Sequence, residues 1–174
     1  MLIGNPHEFA IWLEPVREWT IQSTVEGLFI LCIDGVFLIK KPTLNARAVT
    51  LSGESEFWTE RLVWMDNGKQ TETRGRKKEE LFASAEKYWY GAAEYENSVI
   101  DGVDLTPMET ADSFWKVYLF LDSDTHEDVI VYSNFDEGSV MELRLPASRI
   151  RVILLEFIEQ TKIFDQKELF GLQS

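Results

Sequence analysis

The segment GLFILCIDGVFLIKK, residues 27–41, constrains the fold more than any other part of this sequence. Two apolar runs flank Asp34 and Gly35, and this dipeptide suits the positive φ angles of a tight two-residue turn. The segment therefore predicts a β-hairpin. Cys32, the single cysteine, lies inside the first apolar run and is interpreted as a small core hydrophobe. One cysteine also excludes an internal disulfide framework and a cysteine-based zinc site.

Further strands are predicted on both sides of a helical middle. Before the hairpin, Phe9, Ile11 and Leu13 alternate with their neighbours and share one face of a strand. After the hairpin, the stretch TLNARAVTL predicts another strand, whereas EFWTERLVWMDNG fits either a short helix or a strand. Three apolar runs in the second half, FWKVYLFL, VIVYSNF and VMELRL, predict the remaining strands.

Two amphipathic helices are predicted, at about residues 78–96 and 147–161. Apolar residues recur in both with the helical period of about 3.6 residues. The two stripes are Leu81, Phe82, Ala85, Tyr88, Trp89, Ala92 and Ala93, and Ile150, Ile153, Leu154, Phe157 and Ile158. Strands grouped around helices indicate an α+β fold with a largely antiparallel sheet. The 174 residues are 45% hydrophobic and contain no repeat or linker, so we expect one domain over residues 1–174.

The net charge of −13 is concentrated in residues 92–142, here called the acidic segment. It holds 13 acidic residues and a single basic residue, Lys116. A nucleic-acid partner is not expected, because phosphates are neutralised by clustered Lys and Arg. The longest apolar run, LFILCI, is too short to cross a bilayer, and the start of the sequence lacks a signal-peptide pattern. No membrane association is therefore expected, and the expected compartment is the cytoplasm.

The segment LFLDSDTHEDVIV, residues 119–131, places acids and a histidine at alternate positions between two apolar runs. It predicts a hairpin tip exposed to solvent. A calcium loop counted from Asp122 would need Gly at its sixth position and Glu at its twelfth, but these positions hold Glu127 and Ser133. Two histidines and one cysteine in the sequence are too few for an ordinary transition-metal site. No metal or other cofactor is therefore expected, and a solvated turn is the simplest interpretation.

The sequence gives little support for an enzyme. It contains neither a G-x-S-x-G nucleophile elbow nor a glycine-rich phosphate-binding loop, and Cys32 lies in an apolar run. A pair of catalytic carboxylates stays open as an alternative, but among 30 acidic residues such a pairing is uninformative. We therefore predict a protein that acts by binding and is not an enzyme.

The amino-terminal quarter of the sequence resembles the Imm42 group of bacterial immunity proteins. The resemblance covers residues 2–45, in the segments IGNPHEFAIWLEPVREW, GLFILCIDG and TLNARAV. The matching residues are Gly4, Asn5, Pro6, Phe9, Ala10, Ile11, Trp19, Gly27, Ile33, Asp34, Gly35, Thr43 and Leu44. The resemblance implies an antidote that binds a cognate toxin domain in the cytoplasm of the producing bacterium and prevents self-killing. The matched residues have structural roles, so no toxin contact is carried over from them.

The acidic segment supplies candidate contacts with such a toxin. Many intracellular toxins are nucleases with basic active-site surfaces, and an acidic inhibitor can cover such a surface. The predicted toxin-binding residues are Glu94, Tyr95, Glu96, Asp101, Asp104, Asp122, Asp124, Glu127, Asp128, Asp136 and Glu137. A small acidic adaptor that docks another partner is the alternative function. The oligomeric state is left open.

Overall fold

The computed structural model describes residues 1–19, 25–39, 48–67, 71–91, 102–107, 110 and 114–164. Within these ranges lie nine β-strands and three α-helices. The strands form two sheets, and neighbouring strands in both are antiparallel. The predicted α+β class is therefore confirmed.

The first sheet is built by the amino-terminal third of the chain. Its strands are β1 (Leu2–Gly4), β2 (Phe9–Pro15), β3 (Glu26–Ile33), β4 (Val36–Phe37) and β5 (Ala48–Thr50). They are hydrogen-bonded in the order β1-β2-β3-β4, and β5 pairs with the start of β3. The alternation predicted for β2 is confirmed, since Phe9, Ile11 and Leu13 are fully buried in the main core.

The predicted hairpin turn between β3 and β4 is confirmed. Ile33 and Val36 pair across it, while Asp34 and Gly35 have φ angles of 51° and 75°. Positive φ at both central residues is the turn geometry whose twist matches that of the flanking strands. Local sequence therefore sets the register at this end of the sheet.

Replacing Gly35 with valine should lower the free energy of unfolding by roughly 1–3 kcal/mol. A Cβ atom at this position meets only His7 Nδ1, at 3.6 Å, so space is not limiting. The loss arises because a β-branched residue is strained at positive φ. Gly35→Asn is the matched control, since asparagine tolerates this conformation and should lose less. Urea unfolding measures both variants, and equal midpoints for the valine variant and the wild type would contradict the turn geometry.

The second sheet lies in the carboxy-terminal half. Its strands, in spatial order, are β6 (Val103–Asp104), β7 (Trp115–Leu121), β8 (Glu127–Asn134) and β9 (Val140–Pro146). Trp115, Val117 and Leu119 on one face of β7 join the main core. Tyr118 and Phe120 on its other face join a smaller apolar cluster. Both faces of this sheet are therefore covered at its centre.

Three helices cover the sheets. They are α1 (Leu51–Asn67), α2 (Lys78–Tyr90) and α3 (Arg149–Phe164). Helices α1 and α3 pack against each other and enclose the main core with the first sheet and one face of the second. Helix α2 packs on the opposite face of the second sheet through Leu81, Phe82 and Ala85. Among the described residues, none of the helices combines the length and the hydropathy that a membrane span requires.

The apolar stripe predicted for the last helix is confirmed in α3. Its buried residues include Ile150, Ile153, Leu154, Phe157 and Ile158. The end predicted for α2 near residue 96 is wrong, because the helix stops at Tyr90. Gly91 is extended, with φ −69° and ψ 156°, and its N–H donates to the Lys87 carbonyl. Glycine gains little from helical geometry and readily leaves it.

The stretch that fitted either a helix or a strand is helical from Glu56 to Asn67 and forms most of α1, while Gly68 lies outside the described residues. The buried face of α1 includes Glu54, two residues before that stretch, and the Trp58 indole N–H donates to the Glu54 carboxylate at 3.2 Å. A carboxylate on the core face interrupts the apolar stripe from which a helix is predicted. The hydrogen bond from Trp58 lowers the cost of burying the Glu54 carboxylate, and it depends on the side-chain positions in the folded protein.

Candidate functional site

The predicted toxin-binding residues fall into three groups in the structure. Outside the described residues lie Glu94, Tyr95, Glu96 and Asp101. Buried, with at most 4% of their surface exposed, are Asp104, Asp122 and Asp128. Exposed or partly exposed are Asp124, Glu127, Asp136 and Glu137. The prediction of a hairpin tip that exposes all of its acids is therefore wrong for Asp122 and Asp128.

Asp122 is buried because its carboxylate organises the hairpin tip between β7 and β8. Its Oδ1 accepts hydrogen bonds from the N–H groups of Asp124 and Thr125, both at 2.8 Å. Its Oδ2 accepts one from the Thr73 N–H at 3.2 Å and another from the Thr73 hydroxyl. Burial opposes ionisation, but these hydrogen bonds outweigh it and hold the pKa of Asp122 well below its usual range. Asp122 thus ties the tip to the segment that leads into α2.

Asp128 caps the amino terminus of α3. Its Oδ1 accepts the Ser148 N–H at 3.1 Å, and its Oδ2 accepts the Ile150 N–H at 2.8 Å. The first N–H groups of a helix lack intrahelical partners, so a carboxylate there satisfies them and complements the helix dipole. Burial nevertheless raises the pKa of Asp128, and the hydrogen bonds offset this only in part. The cap comes from β8, and its role is structural.

Asp104 belongs to a polar cluster between α2 and the second sheet. Its Oδ2 accepts the Tyr90 hydroxyl at 2.8 Å, and its Oδ1 accepts the Thr106 N–H at 2.9 Å. Lys116 Nζ lies 3.3 Å from the centroid of the Tyr90 ring. Burial lowers the pKa of Lys116, while the carboxylates of Asp104 and Glu86 oppose that shift. The single basic residue of the acidic segment is therefore engaged within the molecule.

The exposed acids lie at opposite ends of the second sheet. Asp124 and Glu127 belong to the tip between β7 and β8, whereas Asp136 and Glu137 belong to the turn between β8 and β9. The two ends are about 25 Å apart, because β8 has eight residues and a strand rises roughly 3.3 Å per residue. Among the described residues, the exposed acids of the predicted surface are therefore divided between two distinct places.

At the tip, part of the exposed acidic charge is compensated within the molecule. Arg144 Nη1 lies 3.4 Å from the carboxylate of Glu127, and Arg144 Nε lies 2.7 Å from that of Glu142. A pocket of about 330 Å³ opens between the tip and the start of α3. Its acidic walls include Asp122 and Asp128, whose carboxylates already accept hydrogen bonds from the backbone.

The turn between β8 and β9 is held by hydrogen bonds on both sides. The Asp136 N–H donates to Asn134 Oδ1 at 2.9 Å, and the Glu137 N–H donates to the Asn134 carbonyl at 3.1 Å. The Ser133 hydroxyl donates to the Ser139 carbonyl at 2.9 Å. The two acidic side chains are exposed on this fixed framework.

Sequence reasoning missed the residues that bury the tip aspartates. Thr73 lies 49 residues before Asp122, and Ile150 lies 22 residues after Asp128, so no local pattern connects either pair. The sequence did contain a signal that Lys116 is engaged within the molecule. It is the single base among the 13 acids of the acidic segment, and a lone base is a natural partner for some of them.

The chemistry available at the exposed acids is electrostatic attraction of a cationic surface. Within the ranges that the structure describes, no group of three or more His, Cys, Asp or Glu residues is arranged to hold a metal ion. The buried carboxylates of Asp104, Asp122 and Asp128 accept hydrogen bonds that stabilise turns and a helix terminus. Their arrangement supports the fold, and of the candidates whose positions the structure describes, the exposed acids are those open to a partner.

Comparison with known proteins extends the resemblance well beyond the first 45 residues. A family model described as Immunity protein 42 matches residues 1–160. A solved structure, "Crystal structure of CdiI from Burkholderia dolosa AUO158", is similar with a TM-score of 0.70 at 16% sequence identity. The similarity covers 92% of this chain and 99% of that chain, and at this identity it shows a shared fold. Comparison with curated proteins gives no match.

Proposed function

The chain belongs to the Immunity protein 42 family, and on that premise we propose that it binds a cognate bacterial toxin domain and neutralises it. The observation that carries the proposal is the family match over residues 1–160, which includes both sheets and most of α3. Neutralisation occurs by stoichiometric occlusion, in which one copy covers the functional surface of one toxin domain. The complex forms in the cytoplasm of the producing cell and requires no catalysis, metal or cofactor.

The proposed partner is a toxin domain with a basic surface, for example a nuclease. The charge of this chain supports that choice, because the acidic segment contains 13 acids and its one base contacts Tyr90. Complementary charge raises association rates by roughly 10- to 1,000-fold. The same charge disfavours a nucleic acid as a direct partner, since phosphates would be repelled.

Of the two acidic places, the turn between β8 and β9 is the favoured contact. At the tip, Glu127 is paired with Arg144, which reduces the negative potential available to a partner. In the turn, Asp136 and Glu137 are exposed and their backbone is fixed by Asn134. A fixed backbone favours binding, because less conformational entropy is lost when the complex forms.

Co-expression with a toxin domain from the gene directly upstream, where the cognate toxin of an immunity protein is expected, tests the proposed function. Growth should be restored, and titration calorimetry with a catalytically inactive toxin should give one copy per toxin domain. Protection at molar ratios of this protein to the toxin far below one would contradict occlusion, because such protection requires turnover. Binding without protection would instead support the acidic adaptor. A toxin that stays lethal and does not bind would overturn the proposal.

Neutralising the turn acids should slow association with the toxin. In the variant Asp136→Asn/Glu137→Gln, the on-rate at low salt should fall about three- to tenfold, and its dependence on salt should flatten. The matched control is Asp124→Asn/Glu127→Gln, which removes the same charge about 25 Å away and should change the on-rate less. Stopped-flow fluorescence at two salt concentrations measures both. Equal on-rates for the two variants would contradict the choice of the turn.

A further inference from the structure

Two exposed phenylalanines stand side by side at the end of the β7–β8 ladder. Phe114 and Phe135 are 40% and 52% exposed. The Phe135 N–H donates to the Phe114 carbonyl at 3.0 Å, just beyond the last ladder pair of Trp115 and Asn134. The backbones of the two residues are therefore paired, and both side chains are exposed at this end of the second sheet.

The backbone of Phe114 is held in an unfavourable conformation. Its φ of 64° lies in the left-handed region, where a bulky residue is an outlier. Such conformations cost free energy and cluster at functional sites. At 40% exposure, the ring gains only part of the stabilisation that full burial would give. Phe114 is therefore a strained residue with an exposed ring, and strain of this kind occurs at binding sites.

The apolar pair is continuous with the acidic turn. Asp136 and Glu137 follow Phe135 directly, and both are exposed. The hydrogen bonds from Asp136 and Glu137 to Asn134 fix the turn on which Phe135 stands. Rigid aromatic residues at the centre of an interface and charged residues at its rim are the usual anatomy of a protein contact.

We propose that Phe114 and Phe135, rimmed by Asp136 and Glu137, form the centre of the toxin contact. The surface fits a toxin patch in which an exposed apolar side chain is flanked by Lys or Arg. The acids accelerate encounter, and the two rings provide the short-range affinity that slows dissociation. This inference rests on the proposed function and identifies the surface that performs it.

The variant Phe135→Ala tests the inference, and the probe is the inactivated form of the toxin domain that the wild-type chain neutralises in the co-expression experiment. The Kd should rise roughly thirtyfold or more, mainly through the off-rate, as at interface hot spots. Phe37→Ala is the matched control, because Phe37 is 44% exposed on the first sheet, and its Kd should stay within about twofold of the wild type. Surface plasmon resonance measures both constants, and circular dichroism checks that each variant is folded.

A second variant keeps the test decisive if Phe135→Ala folds poorly. Glu137→Lys places a like charge against a basic toxin on an exposed turn, and the Kd should rise at least about tenfold. A Kd unchanged in either folded variant would overturn the inference while leaving the proposed function intact. A wild-type chain that neither binds nor neutralises the toxin would overturn the proposed function itself, and the inference with it.

Discussion

Replacing Asp122 with asparagine should lower the free energy of unfolding by about 3 kcal/mol at neutral pH. Asparagine keeps one oxygen for the N–H groups of Asp124 and Thr125. It places an amide NH₂ where Oδ2 accepts both the N–H and the hydroxyl of Thr73. Thr73 is fully buried, so its N–H is left facing another donor without water to replace the lost bond.

Urea unfolding at neutral pH measures this loss. Asp124→Asn is the matched control, because Asp124 lies two positions further along the same tip and its side chain is exposed. That change should shift the free energy of unfolding by less than about 0.5 kcal/mol. Similar losses in the two variants would show that Asp122 does not anchor the tip through Thr73.

The Asp122→Asn variant should also alter how stability depends on pH. In the folded protein the pKa of Asp122 is held below its usual value of about 3.9. The stabilisation by the carboxylate is therefore complete above that value and is lost as the pH falls through the folded-state pKa. The stability difference between wild type and variant should shrink as the pH is lowered from about 5 to about 2. A constant difference over this range would contradict the depressed pKa.

Replacing Phe157 with alanine should lower the free energy of unfolding by roughly 3–5 kcal/mol. The ring is fully buried, and its centroid lies 5.8 Å from that of Phe29 and 6.5 Å from that of Trp58. It therefore joins α3 to β3 and α1. Alanine removes these contacts and leaves a cavity that the surrounding rings can fill only in part.

Leu155→Ala on the same helix is the control for Phe157→Ala. Leu155 is 41% exposed, so its loss should lower the free energy of unfolding by less than about 1 kcal/mol. Chemical denaturation of both variants under the same conditions gives the comparison. Comparable losses would mean that α3 does not present Phe157 to the core.

The Asp122 prediction bears on how the acids of this family member are interpreted. Asp122 and Asp128 lie in a segment whose sequence resembles an acidic binding tip, yet each accepts backbone hydrogen bonds that hold the fold together. A loss of toxin protection after substitution of either residue would therefore reflect unfolding as readily as lost contact. At the exposed turn acids Asp136 and Glu137, a binding effect can be measured separately from stability.

The sequence alone was sufficient where the physical cause is local. Asp34 and Gly35 predicted the hairpin because positive φ at two successive residues depends on those residues themselves. The stripe that contains Phe157 predicted α3 because helical periodicity depends only on spacing along the chain. The family resemblance over residues 2–45 was likewise visible in the sequence, and the family match over residues 1–160 confirms it.

The net charge of the acidic segment was fixed by the sequence, but its distribution over the surface was decided by the tertiary structure. Burial of Asp122 depends on donors of Thr73, which the fold brings from 49 residues away. Exposure of Phe135 and Asp136 depends on the end of β8 at which they emerge, about 25 Å from the tip. A carboxylate supports the fold when distant donors surround it, and it stays available to a partner when they do not. The spacing of acids along the chain does not indicate where those donors lie.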